Sequence, residues 1–229
     1  MAFDDGQLWA GTVANEAAKR ASAAQMAERL RPGEVVGVGS GSTSRLTIEA
    51  LADRARAEGL AWTAVPTSLE VELTCAGFGV PVASLATARP DWSFDGADEV
   101  DPAGNLIKGR GGALLREKLV MASSPERYVV VDPTKLVDRL GTRFPVPVEV
   151  VPEAIRLVGD ALGQRGYREV VLRHGDGKDG PLLTERGNYL LDARIGDIDE
   201  HTERELKAIP GVVESGLFIG FSPKVVVSG

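Results

Sequence analysis

Residues 34–131 alternate short apolar segments with segments of helical periodicity, and this alternation restricts the chain to few folds. Strands are predicted at residues 34–39, 62–65, 80–83, 92–95 and 128–131. Helices are predicted at residues 10–30, 46–56, 69–76 and 113–122. Strands that alternate with helices form parallel sheets with helices on both faces. The sequence therefore predicts an α/β domain built on a Rossmann-like, mostly parallel sheet.

The first predicted helix is rich in alanine. Its apolar residues at helical spacing are Val13, Ala17, Ala21 and Ala24, and Arg31-Pro-Gly33 ends it. This spacing predicts a helix.

Beyond Gly141 the pattern becomes that of a smaller α+β domain. Prolines interrupt the valines of Val146–Val150, which predicts an irregular strand or one at a sheet edge. Then come a helix with Ile155, Val158 and Leu162 on one face, strands at 169–172 and 189–195, a helix at 200–209 and a strand at 212–213. This β-α-β-β-α-β order is the ferredoxin-like, split βαβ pattern. We predict a large α/β domain of residues 1–141 and 212–229 and a small α+β domain of residues 142–211.

The supply of reactive side chains excludes several kinds of chemistry. Among 229 residues there are two His and a single Cys. Zinc sites, Cys-His pairs and Ser-His-Asp triads therefore lack their residues. We expect Cys75 to be a small core residue and His174 and His201 to lie at the surface. Chemistry must then depend mainly on carboxylates and lysines.

The charge and the apolar runs exclude other classes. A net charge of −7 without a Lys/Arg cluster argues against nucleic-acid binding. No apolar run approaches the roughly 20 residues of a membrane span. The acidic start, Met-Ala-Phe-Asp-Asp, lacks the pattern of a secretory signal. We therefore expect a cytoplasmic protein.

A glycine-rich loop, Gly37-Val-Gly-Ser-Gly-Ser-Thr43, joins the first predicted strand to the next helix. The N–H groups of such a loop converge on an anion, and the hydroxyls of Ser40, Ser42 and Thr43 add donors, which predicts phosphate binding. A tight turn capped by Ser42 or Thr43 explains the loop equally well. Dinucleotide and triphosphate binding fit less well, because Ser42 replaces the third glycine and no Lys precedes it.

An acidic segment, Asp95-Gly-Ala-Asp-Glu-Val-Asp101, begins at the end of a predicted strand. Ligands of open α/β sheets bind at this end of the strands. Its four carboxylates suit the positioning of hydroxyls or proton exchange. A solvated acidic turn and a Mg²⁺ or Ca²⁺ site remain alternatives.

Lys108 precedes a second glycine loop, Gly109–Gly112, that opens a helix and suits an oxyanion. On that helix Glu117 lies among apolar neighbours, a setting that favours a general base. An ion pair with Arg116 or Lys118 is a weaker alternative, because adjacent helical residues do not face each other. Lys135 either binds phosphate or is an ordinary solvated lysine.

Taken together, these segments resemble ribose-5-phosphate isomerase of the A type. The resemblance is carried, in this order, by Gly37–Thr43, Phe94–Asp101, Ile107–Lys118, Val146–Val150 and Ile209–Val213. It implies that an α/β catalytic domain with a small α+β domain interconverts ribose 5-phosphate and ribulose 5-phosphate through an enediolate, in the pentose phosphate pathway. It also implies no metal or organic cofactor, a sugar phosphate as the ligand, no nucleic-acid or membrane partner, and a homodimer or homotetramer.

The same resemblance implies roles for single residues. The catalytic residues would be Glu117 as the base, with Asp95, Asp98 and Lys108. The substrate-binding residues would be Ser40, Gly41, Ser42, Thr43, Asp95, Gly96, Ala97, Asp98, Lys108, Gly109, Arg110, Gly111 and Lys135. Two residues depart from the family pattern. Ser40 stands where threonine is common and keeps the hydroxyl, whereas Arg110 stands where glycine is usual and adds bulk and charge to the loop.

Two other functions fit part of this pattern. A sugar-phosphate-binding sensor would need the phosphate loop but not Glu117 together with Lys108. Such a sensor normally also carries a DNA-binding region, and no helix-turn-helix segment is evident. A glutamate-dependent CoA transferase would combine a glycine-rich loop with a catalytic glutamate on a similar sheet.

Overall fold

The computed structural model describes residues 13–175, 177 and 179–228. Its helices, numbered in chain order, are α1 Glu16–Ala27, α2 Gly41–Glu58, α3 Leu69–Gly77, α4 Leu114–Ser123, α5 Ile155–Gln164 and α6 Thr202–Lys207. Its strands are β1 Val35–Val38, β2 Thr63–Pro66, β3 Trp92–Asp95, β4 Glu99–Val100, β5 Leu106–Ile107, β6 Glu126–Val131, β7 Val146–Val150, β8 Arg168–Leu172, β9 Tyr189–Arg194, β10 Val212–Ser215, β11 Leu217–Phe218 and β12 Lys224–Val227. No helix within these ranges is both long and apolar enough to cross a membrane.

The described residues divide into two compact units, each with its own apolar core. Unit 1 contains the described residues up to Gly96, Arg116–Thr134 and those from Pro223 onward, and unit 2 contains Ala97–Leu115 and Lys135–Ser222. The sequence analysis assigned residues 97–115, 135–141 and 212–222 to the large domain. The structure places them in unit 2, where β4 and β5 pair with β11, and β10 pairs with β7.

Unit 1 is built on a five-stranded sheet of order β12-β6-β3-β1-β2 in which every pairing is parallel. This confirms the predicted Rossmann-like, mostly parallel sheet. The strand predicted at residues 80–83 is reduced to an isolated bridge between Ala64 and Val82. Pro81 accounts for the difference, since proline has no N–H to donate to a strand ladder.

Helix α1 leaves exposed the three alanines whose spacing predicted it. Ala17, Ala21 and Ala24 are exposed. The buried residues of α1 are Lys19, Ser22, Ala23, Met26 and Ala27. An alanine-rich helix shows little contrast between its faces, so tertiary contacts select the face that packs. The predicted residues 10–12 lie outside the described range.

The scarce thiol and imidazole groups lie where the sequence predicts them. Cys75 is fully buried in the core of unit 1. Burial, with a smaller contribution from the charge of Glu72, raises the pKa of its thiol to about 12. His174 and His201 are exposed.

Unit 2 contains the predicted β-α-β-β-α-β order as β7, α5, β8, β9, α6 and β10. Its four strands form an antiparallel sheet of order β10-β7-β9-β8. Helix α5 buries Val158 and Leu162 as predicted. A second sheet, β11-β5-β4, was not predicted, because strands of two residues are too short to show an alternating pattern.

Strand β7 was predicted to be irregular or to lie at a sheet edge. It lies inside its sheet and is buried along its whole length, and its pairing with β10 shifts register between Val212 and Glu214. The sheet accommodates Pro147 because β10 ends at Ser215, next to the position where the proline lacks an N–H. Gly216 still donates its N–H to the Pro147 carbonyl at 2.7 Å, but its own carbonyl instead accepts the Lys108 N–H at 2.9 Å. Because Pro147 has no N–H to donate, the chain leaves the β10-β7-β9-β8 sheet at Gly216, and the Gly216 carbonyl is free to accept the Lys108 N–H.

We expect Gly216→Ala to destabilise the protein by about 1–3 kcal/mol, the usual cost of overpacking a tight site. A Cβ at position 216 would lie 2.2 Å from the Lys108 carbonyl oxygen and 2.6 Å from Pro147 Cδ. Urea unfolding measures the change. Gly159→Ala in helix α5 is the matched control, since a Cβ there meets nothing within 4 Å and alanine favours helix. Equal stability of the two variants would contradict this account of the Gly216 contact.

Candidate functional site

The first glycine loop follows β1 and leads into helix α2. Helix α2 begins at Gly41, earlier than the predicted Leu46, so Ser42 and Thr43 lie in its first turn. N–H groups in a first helical turn have no partner within their helix, and they attract anions. Gly41 has a φ of 85°, a conformation that favours glycine. The loop therefore ends in a helix N-terminus whose first-turn N–H groups can receive an anion.

The residue at the N-cap of α2 is Ser40, and its hydroxyl makes no capping bond. The turn capped by Ser42 or Thr43, considered above, is therefore not formed. The Ser40 hydroxyl instead donates a 2.7 Å hydrogen bond to Oε1 of Glu117. Glu117 lies in the first turn of α4 and is 5% exposed. This bond holds a carboxylate that is largely shielded from water beside the first glycine loop.

Asp95, at the end of β3 in unit 1, is hydrogen-bonded to Ser40, the residue that also holds Glu117. Its Oδ1 accepts the N–H of Ser40 at 3.2 Å and the N–H of Gly96 at 2.7 Å. Strand β3 pairs with β1, so the parallel register brings the ends of the two strands together. A side chain at Gly39 would occupy the same space, since its Cβ would lie 2.2 Å from Asp95 Oδ1. Gly39 is therefore required for Asp95 to reach Ser40.

Lys19 is a residue of this site that the sequence analysis missed. It lies on the buried face of α1, is 8% exposed, and donates from Nζ to the Ser42 hydroxyl at 3.0 Å. A lysine buried against a helix N-terminus adds positive charge where the helix already favours an anion. The only signal in the sequence was a lysine within an alanine-rich helix, which usually lies at the surface.

The carboxylates of the acidic segment have separate roles. Asp95 belongs to unit 1, and Asp98 of unit 2 accepts the Arg110 N–H on Oδ2 at 3.1 Å. Glu99 is fully buried and accepts the N–H groups of Gly141, Arg143 and Phe144. Asp101 accepts the N–H groups of residues 103 and 105 in a turn. Glu99 and Asp101 therefore serve the fold rather than a ligand.

Lys108 and Lys135 lie against different aromatic rings of unit 2. Lys108 is 3% exposed, and its Nζ lies 5.7 Å from the centroid of Phe218. Lys135, at the end of a 3₁₀ turn, lies 5.2 Å from the centroid of Phe144. An aromatic face attracts an ammonium group through the negative charge at the face of its ring.

The second glycine loop accommodates Arg110 without backbone strain. Gly109 and Gly112 have φ values of 106° and 83°, whereas Arg110 is not among the residues with positive φ. Arg110 is exposed, and its backbone N–H donates to Asp98 Oδ2. Arginine at position 110 therefore leaves the course of the loop intact, because the positions that need glycine are 109 and 112.

The geometry divides the predicted site residues into two sets. In unit 1, Ser40, Asp95 and Glu117 are joined by hydrogen bonds, and Ser42 is joined to Lys19. In unit 2, Asp98 is joined to the backbone of the loop that follows Lys108. Each set holds groups that can bind an anion or exchange protons: carboxylates, a lysine and loop N–H groups in unit 1, and a carboxylate with loop N–H groups in unit 2.

Comparisons with known proteins agree on one family. A family model described as ribose 5-phosphate isomerase A (phosphoriboisomerase A) matches residues 63–229. Ribose-5-phosphate isomerase A of Methanothermobacter thermautotrophicus is 46% identical over 210 residues, or 91% of this chain and 92% of that protein. The solved ribose 5-phosphate isomerase A of Methanocaldococcus jannaschii has a TM-score of 0.90 and 40% identity, covering 94% of this chain and 96% of that one. A solved D-ribose-5-phosphate isomerase in complex with phospho-erythronic acid has the same TM-score and coverage with 37% identity.

We expect Gly39→Ala to lower stability by about 1–3 kcal/mol, because the new Cβ must displace the Asp95 side chain. Gly96→Ala, at the end of the neighbouring strand, is the matched control, since its Cβ meets only the Val130 carbonyl oxygen, at 4.0 Å. Thermal unfolding of the two variants measures the difference. A Gly39→Ala protein as stable as the control would show that Asp95 and the first glycine loop do not need this close approach.

Proposed function

The chain belongs to the ribose 5-phosphate isomerase A family, and we propose that it interconverts ribose 5-phosphate and ribulose 5-phosphate with Glu117 as the base. The observation that carries this proposal is the buried Glu117 carboxylate held by the Ser40 hydroxyl at 2.7 Å. A base that moves a proton between adjacent carbons needs a fixed position and little competing water. A sensor that only binds a sugar phosphate has no need of such a group.

The phosphate group of the substrate binds at the start of α2. The first-turn N–H groups, the hydroxyls of Ser42 and Thr43, and the Lys19 ammonium group are its donors. Lys19 Nζ already lies 3.0 Å from the Ser42 hydroxyl, so both groups face the same place. Local positive charge is needed here because the whole chain carries −7. Phosphate affinity thus depends on these few donors rather than on the long-range field of the protein.

Proton transfer follows opening of the sugar ring. Glu117 removes the proton from C2 of the open-chain aldose and returns it to C1 of the enediolate, which gives the ketose. Lys108, with loop N–H groups, stabilises the negative charge that develops on the carbonyl oxygen. Asp95 and Asp98 assist ring opening and the transfer of hydroxyl protons.

The remaining residues assigned by the resemblance contact the substrate. These are Ser40, Gly41, Gly96, Ala97, Gly109, Arg110, Gly111 and Lys135. The phospho-erythronic acid bound by one solved relative is a phosphorylated sugar acid, which supports a sugar phosphate as the ligand. We further infer a cytoplasmic enzyme of the non-oxidative pentose phosphate pathway that works as a homodimer or homotetramer, since the family resemblance implies these properties.

We expect Glu117→Gln to lower kcat for ribose 5-phosphate by about 100- to 10,000-fold, the range of general-base catalysis. Glutamine keeps the shape and can still accept the Ser40 hydrogen bond, so KM should change little. Glu126→Gln, in an exposed part of β6, is the control and should keep wild-type turnover. Ketose formation is followed in parallel assays without and with EDTA.

Each outcome of that assay has one meaning. Near-normal turnover by Glu117→Gln would remove Glu117 from the role of base. Binding without turnover by the wild type would favour the sensor, and turnover only with an acyl-CoA would favour the CoA transferase. Activity lost on chelation would overturn the metal-free mechanism.

We expect Lys19→Met to raise KM for ribose 5-phosphate by about 10- to 100-fold, which corresponds to the roughly 1.5–3 kcal/mol of a hydrogen bond to a charged group. Arg20→Met is the matched control, because Arg20 is the next residue of α1 and its side chain is 50% exposed. Initial rates over a range of substrate concentrations separate KM from kcat. An unchanged KM in Lys19→Met would place the phosphate elsewhere.

A further inference from the structure

Arg173 of unit 2 lies directly after β8 and is held firmly by its backbone. Its N–H donates to the Leu190 carbonyl at 2.9 Å, and its carbonyl accepts the Leu182 N–H at 2.9 Å. Leu182 and Leu190 also lie beside Gly112, at the end of the second glycine loop, within 3.6–3.7 Å of a Cβ built at that glycine. The β8–β9 hairpin therefore fixes the position of Arg173 relative to the loop.

The guanidinium of Arg173 joins a carboxylate to the glycine loop. Nε donates to Oδ2 of Asp192 at 2.7 Å, and Nη2 donates to Oδ1 of the same carboxylate. Nη1 donates to the carbonyl oxygens of Gly109 at 2.8 Å and Arg110 at 3.0 Å. An arginine has five N–H donors. Four of them serve these contacts, so the guanidinium is committed to the loop and to Asp192.

The Arg173–Asp192 pair is only slightly accessible to water. The two side chains are 15% and 19% exposed. A paired guanidinium at such a place keeps its orientation, because the bidentate geometry fixes its plane. Asp192 also balances the charge of Arg173, so the guanidinium adds little net attraction for the phosphate of a substrate.

The carbonyls of Gly109 and Arg110, held by Arg173, determine the directions of the N–H groups of Arg110 and Gly111. A trans peptide holds its N–H antiparallel to its carbonyl. Turning the Gly109 carbonyl to Arg173 therefore turns the Arg110 N–H away, and this N–H donates to Asp98 Oδ2 at 3.1 Å. Turning the Arg110 carbonyl to Arg173 likewise turns the Gly111 N–H away. Within the described residues this Gly111 N–H has no hydrogen-bond partner, and Gly111 is exposed.

We propose that Arg173, balanced by Asp192, is a positioning residue of the isomerase reaction. It orients the second glycine loop so that the Arg110 N–H holds the Asp98 carboxylate and the Gly111 N–H is presented as a donor to the sugar phosphate. Without this contact the two peptides can rotate, since glycine on either side of Arg110 resists rotation little. This inference rests on the proposed function of the loop as part of the substrate site.

The test compares Arg173→Met with Arg194→Met in the full chain. Arg194 is the matched control, because it belongs to the same hairpin and pairs with Glu169 of β8 at 3.6 Å. We expect Arg173→Met to lower kcat/KM for ribose 5-phosphate by about 100-fold, the scale of a catalytic group misplaced by about 1 Å. Arg194→Met should stay close to wild type. Millimolar guanidinium ion should restore part of the activity of Arg173→Ala, which a merely global loss of stability would not allow.

A second variant and a second measurement keep the proposal testable if Arg173→Met does not fold. Arg173→Lys keeps the charge but cannot bind Asp192 and two carbonyls at once, so a similar loss is expected from a folded protein. Circular dichroism gives the folded fraction of each variant. Hydrogen exchange reports the Arg110 N–H directly, and we expect it to exchange faster in Arg173→Lys than in the wild type.

The outcomes separate this proposal from the proposed function. A folded Arg173→Lys protein with wild-type kcat/KM overturns the positioning role, while the isomerase function stands. A wild-type protein without isomerase activity overturns the proposed function and, with it, the catalytic part of this inference. Even then, unchanged exchange at Arg110 in Arg173→Lys would show independently that Arg173 does not hold the loop.

Discussion

The close approach of β1 and β3 at Gly39 is the contact on which the hydrogen bonds among Ser40, Asp95 and Glu117 depend. The two strands pair in parallel, so their carboxyl ends carry Ser40 and Asp95 to the same place. A Cβ at position 39 would collide with Asp95, and the absence of one lets Oδ1 accept the Ser40 N–H. The Ser40 hydroxyl is then left to hold Glu117. The lack of a side chain at Gly39 thus lets Ser40 bond Asp95 through its N–H while it bonds Glu117 through its hydroxyl, and each bond orients one carboxylate.

Unit 2 uses a different device to fix its own loop. The chain leaves β10 at Gly216, whose carbonyl accepts the Lys108 N–H because Pro147 has no donor to offer its strand neighbour. Arg173 then fixes the next two peptides through their carbonyls. Hydrogen bonds to the backbone, from the Gly216 carbonyl and from the Arg173 and Asp98 side chains, therefore determine the course of the chain from Lys108 to Gly111. This explains how an exposed arginine at position 110 is accommodated between glycines.

The accuracy of the sequence analysis follows the strength of each local signal. Strands β1, β2, β3 and β6 of the parallel sheet were predicted, because each is an apolar run bounded by turn residues, whereas β12 was not predicted. The helix at α1 was predicted, but its sequence does not show which face is buried, since alanine scarcely distinguishes a buried side from an exposed one. For β7 the prolines left an irregular strand and an edge strand open. The strand lies inside its sheet because the end of β10 leaves Pro147 with no donor to supply. Lys19 was missed because a lysine in a helix is ordinarily solvated.

The sequence by itself determined the alternation of strands and helices, the order of the small β-α-β-β-α-β segment and the three loop motifs that identify the family. These properties depend on local periodicity and on residue type, which can be read from neighbouring positions. Only the tertiary structure decided that Ser40 bonds Glu117, that Lys19 bonds Ser42 and that Arg173 donates hydrogen bonds to the second glycine loop. The partners in these contacts are separated by 77, 23 and 63–64 positions. Folding brings them together, and nothing local in the sequence encodes the pairing.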